Sequence, residues 1–264
     1  MKLVSKLFLI IMLGIPFITQ AQDRTAYDKG LYAAKGDTLP YRILFPLQFN
    51  PTEKYPVVII LHGAGERGKD NNAQLTYGAD LFLRPDIRQQ YRAIVIFPQC
   101  PAESFWSNVD IEHNDVTGKN KFLFKTDDSA PTKAMAALLG FTDELLKKPY
   151  IDKKQVYIGG LSMGGMGTLE MLGRKPNLFA AAIAICGGDN SLNVPKYAKK
   201  VPLWVFHGGK DPIVPADHSE VVVAALKAEG ANPKFSLYPN VGHDSWNNAF
   251  AEVGLLPWLF SNKK

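Results

Sequence analysis

Cysteine, long apolar runs and blocks of like charge are all scarce in this 264-residue chain. The two cysteines, Cys100 and Cys186, each follow a predicted strand. In the mostly parallel sheet implied by the strand–helix alternation, those two strands are not neighbours. Strands lie about 4.8 Å apart and bridged Cα atoms come within roughly 7 Å, so two buried, free thiols are expected rather than a disulfide. No apolar run reaches the roughly 20 residues of a bilayer-spanning helix. Lysine and arginine form no cluster, so the formal charge of +5 is spread thinly and gives no footprint for nucleic acid. There is no internal repeat and no low-complexity stretch.

What is present begins with an export signal. Lys2 and Lys6 precede the apolar run Leu7 to Ile18, and Thr19-Gln20-Ala21 puts small residues where a signal peptidase reads them. Cleavage is expected after Ala21, with no lipid-anchoring cysteine beside it. That leaves one domain, residues 22–264, periplasmic or secreted, without a stable membrane anchor. Its formal charge falls to +3 with the loss of two lysines.

Leu31 to Ala34 and Leu39 to Phe45 flank Gly36-Asp37 and read as a hairpin. Val57 to Leu61, Ala93 to Phe97, Val156 to Gly159 and Ala181 to Cys186 are unbroken apolar runs, the mark of strands covered on both faces. Val201 to Phe206 and Lys234 to Tyr238 add two more strands. Helical patterns lie between them at 131–148, 163–175, 216–229 and 249–260, the first opening after Asp127-Asp128-Ser129 as capping residues and the last interrupted by Pro257. The alternation predicts an α/β fold with a mostly parallel sheet of about eight strands and helices on both faces. Functional groups in such sheets gather at the carboxyl ends of the strands.

Gly160-Leu161-Ser162-Met163-Gly164 sits between a strand and a helix, the context of a nucleophile elbow. The tight turn lifts the serine oxygen beside a helix N-terminus, where free N–H groups can hold an oxyanion. Serine needs a base and an orienting acid. Of five histidines (His62, His113, His207, His218 and His243), His243 follows the last strand in Gly242-His243-Asp244 and is the expected base. His62 and His207 end strands in His-Gly pairs and read as buried turn histidines. The acid should fall between serine and histidine. Asp211 lies in the loop after a strand, whereas Asp189 sits in a polar turn and Asp217 and Glu220 suit a helix's first turn. Oxyanion donors are expected from the N–H groups of Met163 and of Ala64 in His62-Gly63-Ala64-Gly65, with Gly65 the near alternative.

Together with Glu66-Arg67-Gly68, Phe97-Pro98-Gln99-Cys100-Pro101, His207-Gly208-Gly209-Lys210-Asp211 and Gly242-His243-Asp244-Ser245-Trp246, these motifs resemble the phospholipase/carboxylesterase branch of the α/β-hydrolases. That branch grades into relatives of feruloyl and acetyl-xylan esterases. The resemblance covers nearly all of the mature chain in order. It implies an α/β-hydrolase fold and a serine esterase with no cofactor, using Ser162, Asp211 and His243 on a small-molecule or polysaccharide-borne ester. A serine peptidase and an idle hydrolase fold that binds carbohydrate are the alternatives.

No large cap domain interrupts the strands. The longest irregular stretch is 101–131, expected to overhang the site. Within it Phe105 and Trp106 either form an aromatic wall for substrate or pin the loop to the body. Trp246 is expected to pack behind His243, and Glu66 and Arg67 to pair and brace the oxyanion loop. Asp110, Glu112, His113 and Asp115 match no calcium-loop spacing and read as solvated charge, so no metal is expected. Amino-terminal sequencing of the exported protein should begin at Gln22; a chain that keeps Met1 would refute the signal reading.

Overall fold

The computed structural model describes residues 23–34, 37–114 and 119–264. The expected signal segment, Gly36 of the hairpin turn and Asp115 lie outside them. Among the described residues ten strands form: β1 (Asp28–Ala34), β2 (Asp37–Leu44), β3 (Tyr55–Leu61), β4 (Ile94–Pro98), β5 (Val109–Asn114), β6 (Lys119–Phe124), β7 (Ile151–Leu161), β8 (Ala181–Ile185), β9 (Leu203–Gly208) and β10 (Lys234–Tyr238). Eight of them make one sheet in the order β1-β2-β4-β3-β7-β8-β9-β10. β1 and β2 run antiparallel to their neighbours and every other pairing is parallel. This is the α/β-hydrolase architecture.

The unbroken apolar runs are explained by the pleat. Along β3, Val57, Ile59 and Leu61 enter the core on one face while Val58 and Ile60 enter the core on the other. β4 divides likewise, Ile94 and Ile96 against Val95 and Phe97. Helices cover both layers: α3 (Lys133–Leu145), α4 (Met163–Arg174) and α5 (Asp217–Ala228) on the first, α1 (Ala79–Leu83), α6 (Trp246–Ala251) and α7 (Leu255–Ser261) on the second. The half-buried Ile87 brings α2 (Pro85–Gln90) against that second layer as well. α1 and α2 were not legible as helices, being five and six residues long with Pro85 dividing them.

Three local features differ from expectation. α3 is capped by Thr132, whose hydroxyl accepts from the Met135 N–H at 3.1 Å, not by the acids at 127–129. The break near the end falls at residues 252–254, and Pro257 sits in the first turn of α7, where a missing N–H costs nothing. The stretch 101–131 is not irregular throughout: β5 and β6 pair as an antiparallel hairpin, Val109 opposite Phe124. Its alternation of charged and apolar residues is a strand signal that the turn residues around it obscured.

Both cysteines are free and buried, with β3 and β7 lying between the strands they follow. β10 is an outer strand, and each of its five residues keeps some exposure to solvent.

The base of the 101–131 connection is clamped to α4. Glu170 and Arg174 pair at 2.7 Å with almost no exposure. Glu170 accepts from the Asn108 N–H, and Arg174 donates to the carbonyls of Asp127 and Ser129. Nearby, Asp189 accepts from the Asn190 N–H, the Asn193 amide and the Tyr197 hydroxyl. Burial pushes the Asp189 carboxyl up to about 7 and the Asp127 carboxyl up to about 6. Both bind a proton more tightly folded than unfolded, where the value is about 4. The folded state therefore holds more protons between those values, and stability falls as pH rises through them. Asp127→Asn should flatten the decline in melting temperature between about pH 4 and 6. A slope equal to that of the wild type would show that Asp127 is not its source.

Candidate active site

The site grows from the turn after the central strand β7. Ser162 has φ 53° and ψ −118°, a strained conformation for a residue with a side chain. The turn is held from both sides. The Ser162 N–H donates to the Ile185 carbonyl at 2.9 Å, and its carbonyl accepts from the Met166 N–H at 3.0 Å. A methyl group on Gly160 would meet the backbone of Gly164 and Leu61, and one on Gly164 would meet Leu61 and lie 2.7 Å from the His62 carbonyl oxygen. The two glycines of the pentapeptide are thus required by backbone-to-backbone contact.

Ser162 Oγ lies 2.9 Å from His243 Nε2, and His243 Nδ1 lies 2.7 Å from Asp211 Oδ2. The structure therefore brings together the three residues that the sequence singled out, from the ends of β7, β9 and β10. Asp211 is anchored independently: its Oδ1 accepts the N–H groups of Ile213 and Val214, both at 2.9 Å. Burial works to raise the Asp211 carboxyl, but hydrogen bonds from His207, His243 and the Val214 N–H outweigh it and hold the group well below the usual carboxylate range. Trp246 stands edge-on to His243, centroids 5.3 Å apart, as expected of a packing residue.

The loop after β3 faces the serine: a methyl on Gly63 would come 3.7 Å from Ser162 Cβ. Its orientation is set by His62, whose ring is buried. The Cys100 N–H donates to Nε2 at 2.9 Å, so the ring proton sits on Nδ1 and bonds the Gly63 carbonyl at 2.6 Å. Burial drives this imidazole down to about 4, keeping it neutral in that tautomer. Because a trans peptide points its C=O and N–H to opposite sides, fixing the Gly63 carbonyl also fixes the direction of the Ala64 N–H. Met163 opens α4, so its own N–H has no acceptor within the helix. Arg67 braces the same loop by donating to the carbonyls of Ala64, Ala102 and Ser104, with its guanidinium over Phe105. It forms no ion pair with Glu66 among the described residues, so the expected pairing is corrected.

Trp106 also needs correcting as a substrate wall. It is 0% exposed, packs edge-on to His62 and rests against Gly167 of α4, so it pins the loop to the body. Phe105 is half-buried. From the hairpin, Phe122 packs with Met166 and Val214, and Phe122 and Phe124 stand edge-on to His218. Charges along the hairpin are paired across it: Lys125 with Asp110 and Lys121 with Glu112.

Sequence reasoning missed two neighbours of the histidine–carboxylate pair. Cys186, at φ 40°, puts its thiol with Asp211 and His243 so that one potential ligand atom from each lies within 4.8 Å of the others. Burial holds that thiol well above its ordinary value, so it adds no charge beside Asp211. His207, expected as a buried turn histidine, also has its Nε2 3.3 Å from Asp211 Oδ2. Its position four residues before Asp211 was the available signal.

Residues 49–254 match the family model described as phospholipase/carboxylesterase. A Yersinia pestis protein provisionally named carboxymethylenebutenolidase is 29% identical over 222 residues, covering 80% of this chain and 75% of its own. The solved structure of a thermostable esterase superposes with a TM-score of 0.79 at 33% identity, over 91% of this chain and 64% of that one. The present chain thus spans somewhat under two thirds of that esterase. A ferulic acid esterase structure superposes at 0.65 with 19% identity, over 88% of this chain and 97% of its own, a likeness of fold. Gly164→Ala should lower stability by about 3 kcal/mol through overpacking. A urea midpoint equal to that of the wild type would mean that the elbow can shift to admit a methyl group.

Proposed function

Because the chain belongs to the phospholipase/carboxylesterase family, and so is a carboxylesterase-type hydrolase, we propose that it is a serine esterase working through an acyl-enzyme on Ser162. The observation that carries this is the unbroken relay Ser162 Oγ–His243–Asp211, at 2.9 and 2.7 Å. His243 Nε2 takes the serine proton as Oγ attacks the ester carbonyl. The N–H groups of Met163 and Ala64 hold the resulting oxyanion, each donor worth about 3 kcal/mol of barrier. His243 then gives its proton to the leaving alcohol, the tetrahedral intermediate collapses to the acyl-serine, and water discharges it by the same steps. Asp211 keeps the ring in the tautomer that leaves Nε2 free to accept, and stabilises the imidazolium formed in between.

The substrate class we propose is a short-chain or polysaccharide-linked ester of the acetyl or feruloyl kind. It rests on the resemblance of the motifs and on the expected export of residues 22–264 as one domain. Catalysis then takes place in the periplasm or outside the cell.

The test is hydrolysis of p-nitrophenyl esters from acetate to decanoate by the wild type and by Ser162→Ala. Activity on short chains should fall at least about 10³-fold in the variant, leaving only what the oxyanion donors and binding supply. Activity that survives the substitution would refute the Ser162 mechanism. Inactivity on every ester together with cleavage of peptide p-nitroanilides would turn the assignment to a peptidase.

A further inference from the structure

The imidazole of His207 is fully buried, one residue from the end of β9, and the relay described above does not use it. Its surroundings dictate where its protons lie. Nε2 faces two groups that can only accept: the Val214 carbonyl at 2.8 Å and Asp211 Oδ2 at 3.3 Å. That nitrogen must therefore carry a hydrogen. Nδ1 lies 2.6 Å from Ser219 Oγ, which itself lies 3.0 Å from the Gly187 carbonyl. Ser219 has one hydroxyl proton and two places to put it. Given to Nδ1, it leaves His207 neutral; given to Gly187, it leaves an oxygen that accepts from a doubly protonated ring. Either way Nε2 keeps its hydrogen, which lies between the Val214 carbonyl at 2.8 Å and Asp211 Oδ2 at 3.3 Å.

Asp211 Oδ2 thus serves two imidazoles at once, His243 at 2.7 Å and His207 at 3.3 Å. We propose that His207 is a positioning residue for the esterase: a standing second donor to the Asp211 oxygen that orients His243, dividing the carboxylate's pull between two rings. The proposal rests on the serine-esterase reading. Its consequence is a lower basicity of His243 than an undivided carboxylate would impose. The other titratable groups facing this cluster are the uncharged Cys186 thiol, Asp244 on the histidine loop, and Asp217 and His218 on α5. None of these residues is itself altered when His207 is changed.

The experiment is the pH dependence of kcat/KM on p-nitrophenyl acetate for the wild type, His207→Met and His207→Gln. Methionine fills similar space without a donor, so the acid limb should move up by roughly one pH unit and kcat should fall more than KM changes. Glutamine can return an N–H to Asp211 and should bring the limb back towards the wild type. A folded His207→Met enzyme with an unmoved acid limb would reduce His207 to packing and overturn the proposal. If methionine prevents folding, ¹⁵N-histidine spectra of the wild type decide: His207 Nε2 should give a protonated, pyrrole-type shift, and a pyridine-type shift there refutes the assignment. Those spectra require no turnover, so failure of the esterase reading, seen with Ser162→Ala, stays distinct from failure of this one.

Discussion

At Gly164 the first turn of α4 touches the backbone of Leu61 and His62, and at Gly160 the end of β7 touches the backbone of Gly164. There is no space for a side chain at either point, and most of the site follows from that closeness. It draws α4 onto the end of β3, which fixes where the loop 62–65 lies relative to Ser162. It forces the positive φ of Ser162, which raises Oγ out of the sheet. The sheet order contributes the rest, because β3 and β7 are adjacent while the chain turns back at β4, leaving the carboxyl ends of both strands open at the switch point. Strain at one residue is thus stabilised by close packing over two strands and a helix.

Around this rigid centre the polar groups are linked in chains, not in isolated pairs. His62 receives the Cys100 N–H and passes orientation to Gly63. Asp211 receives two backbone N–H groups on one oxygen and the His243 ring on the other, with His207 Nε2 3.3 Å from that second oxygen. Ser219 ties His207 to Gly187 at the end of β8. Each buried imidazole has both nitrogens engaged, which in a low-dielectric interior is the difference between a specified geometry and a costly one.

What could be read from the sequence was what repeats with a strong period or sits at a sharp turn. The central strands were legible because burial on both faces leaves runs such as Val57 to Leu61 with no polar residue. Ser162 and Asp211 were legible because each follows such a run, and His243 because it sits in a Gly-His pair in the loop after the last strand. The hairpin β5–β6 was not, since its strands are short and charged and only one face packs. α1 and α2 failed for want of length. Trp106 could not be placed because an aromatic residue beside a site reads the same whether it faces solvent or the core; only its packing on His62 and Gly167 decides. His207 was hidden by a correct reading of its burial, which said nothing of the carboxylate across the turn.

The serine and the histidine stand on unequal ground. Ser162 follows the strand at the middle of the sheet, bracketed by β3 and β8, whereas His243 follows β10, an outer strand that among the described residues pairs with β9 alone and is partly solvated along its length. Edge elements open locally at lower free energy than central ones. Fraying of β10 would carry the base away from a nucleophile that has not moved. Heat or denaturant would then silence the protein while amide protons in β3 and β7 still resist exchange, so the temperature at which activity is lost belongs to the sheet's border and not to its core.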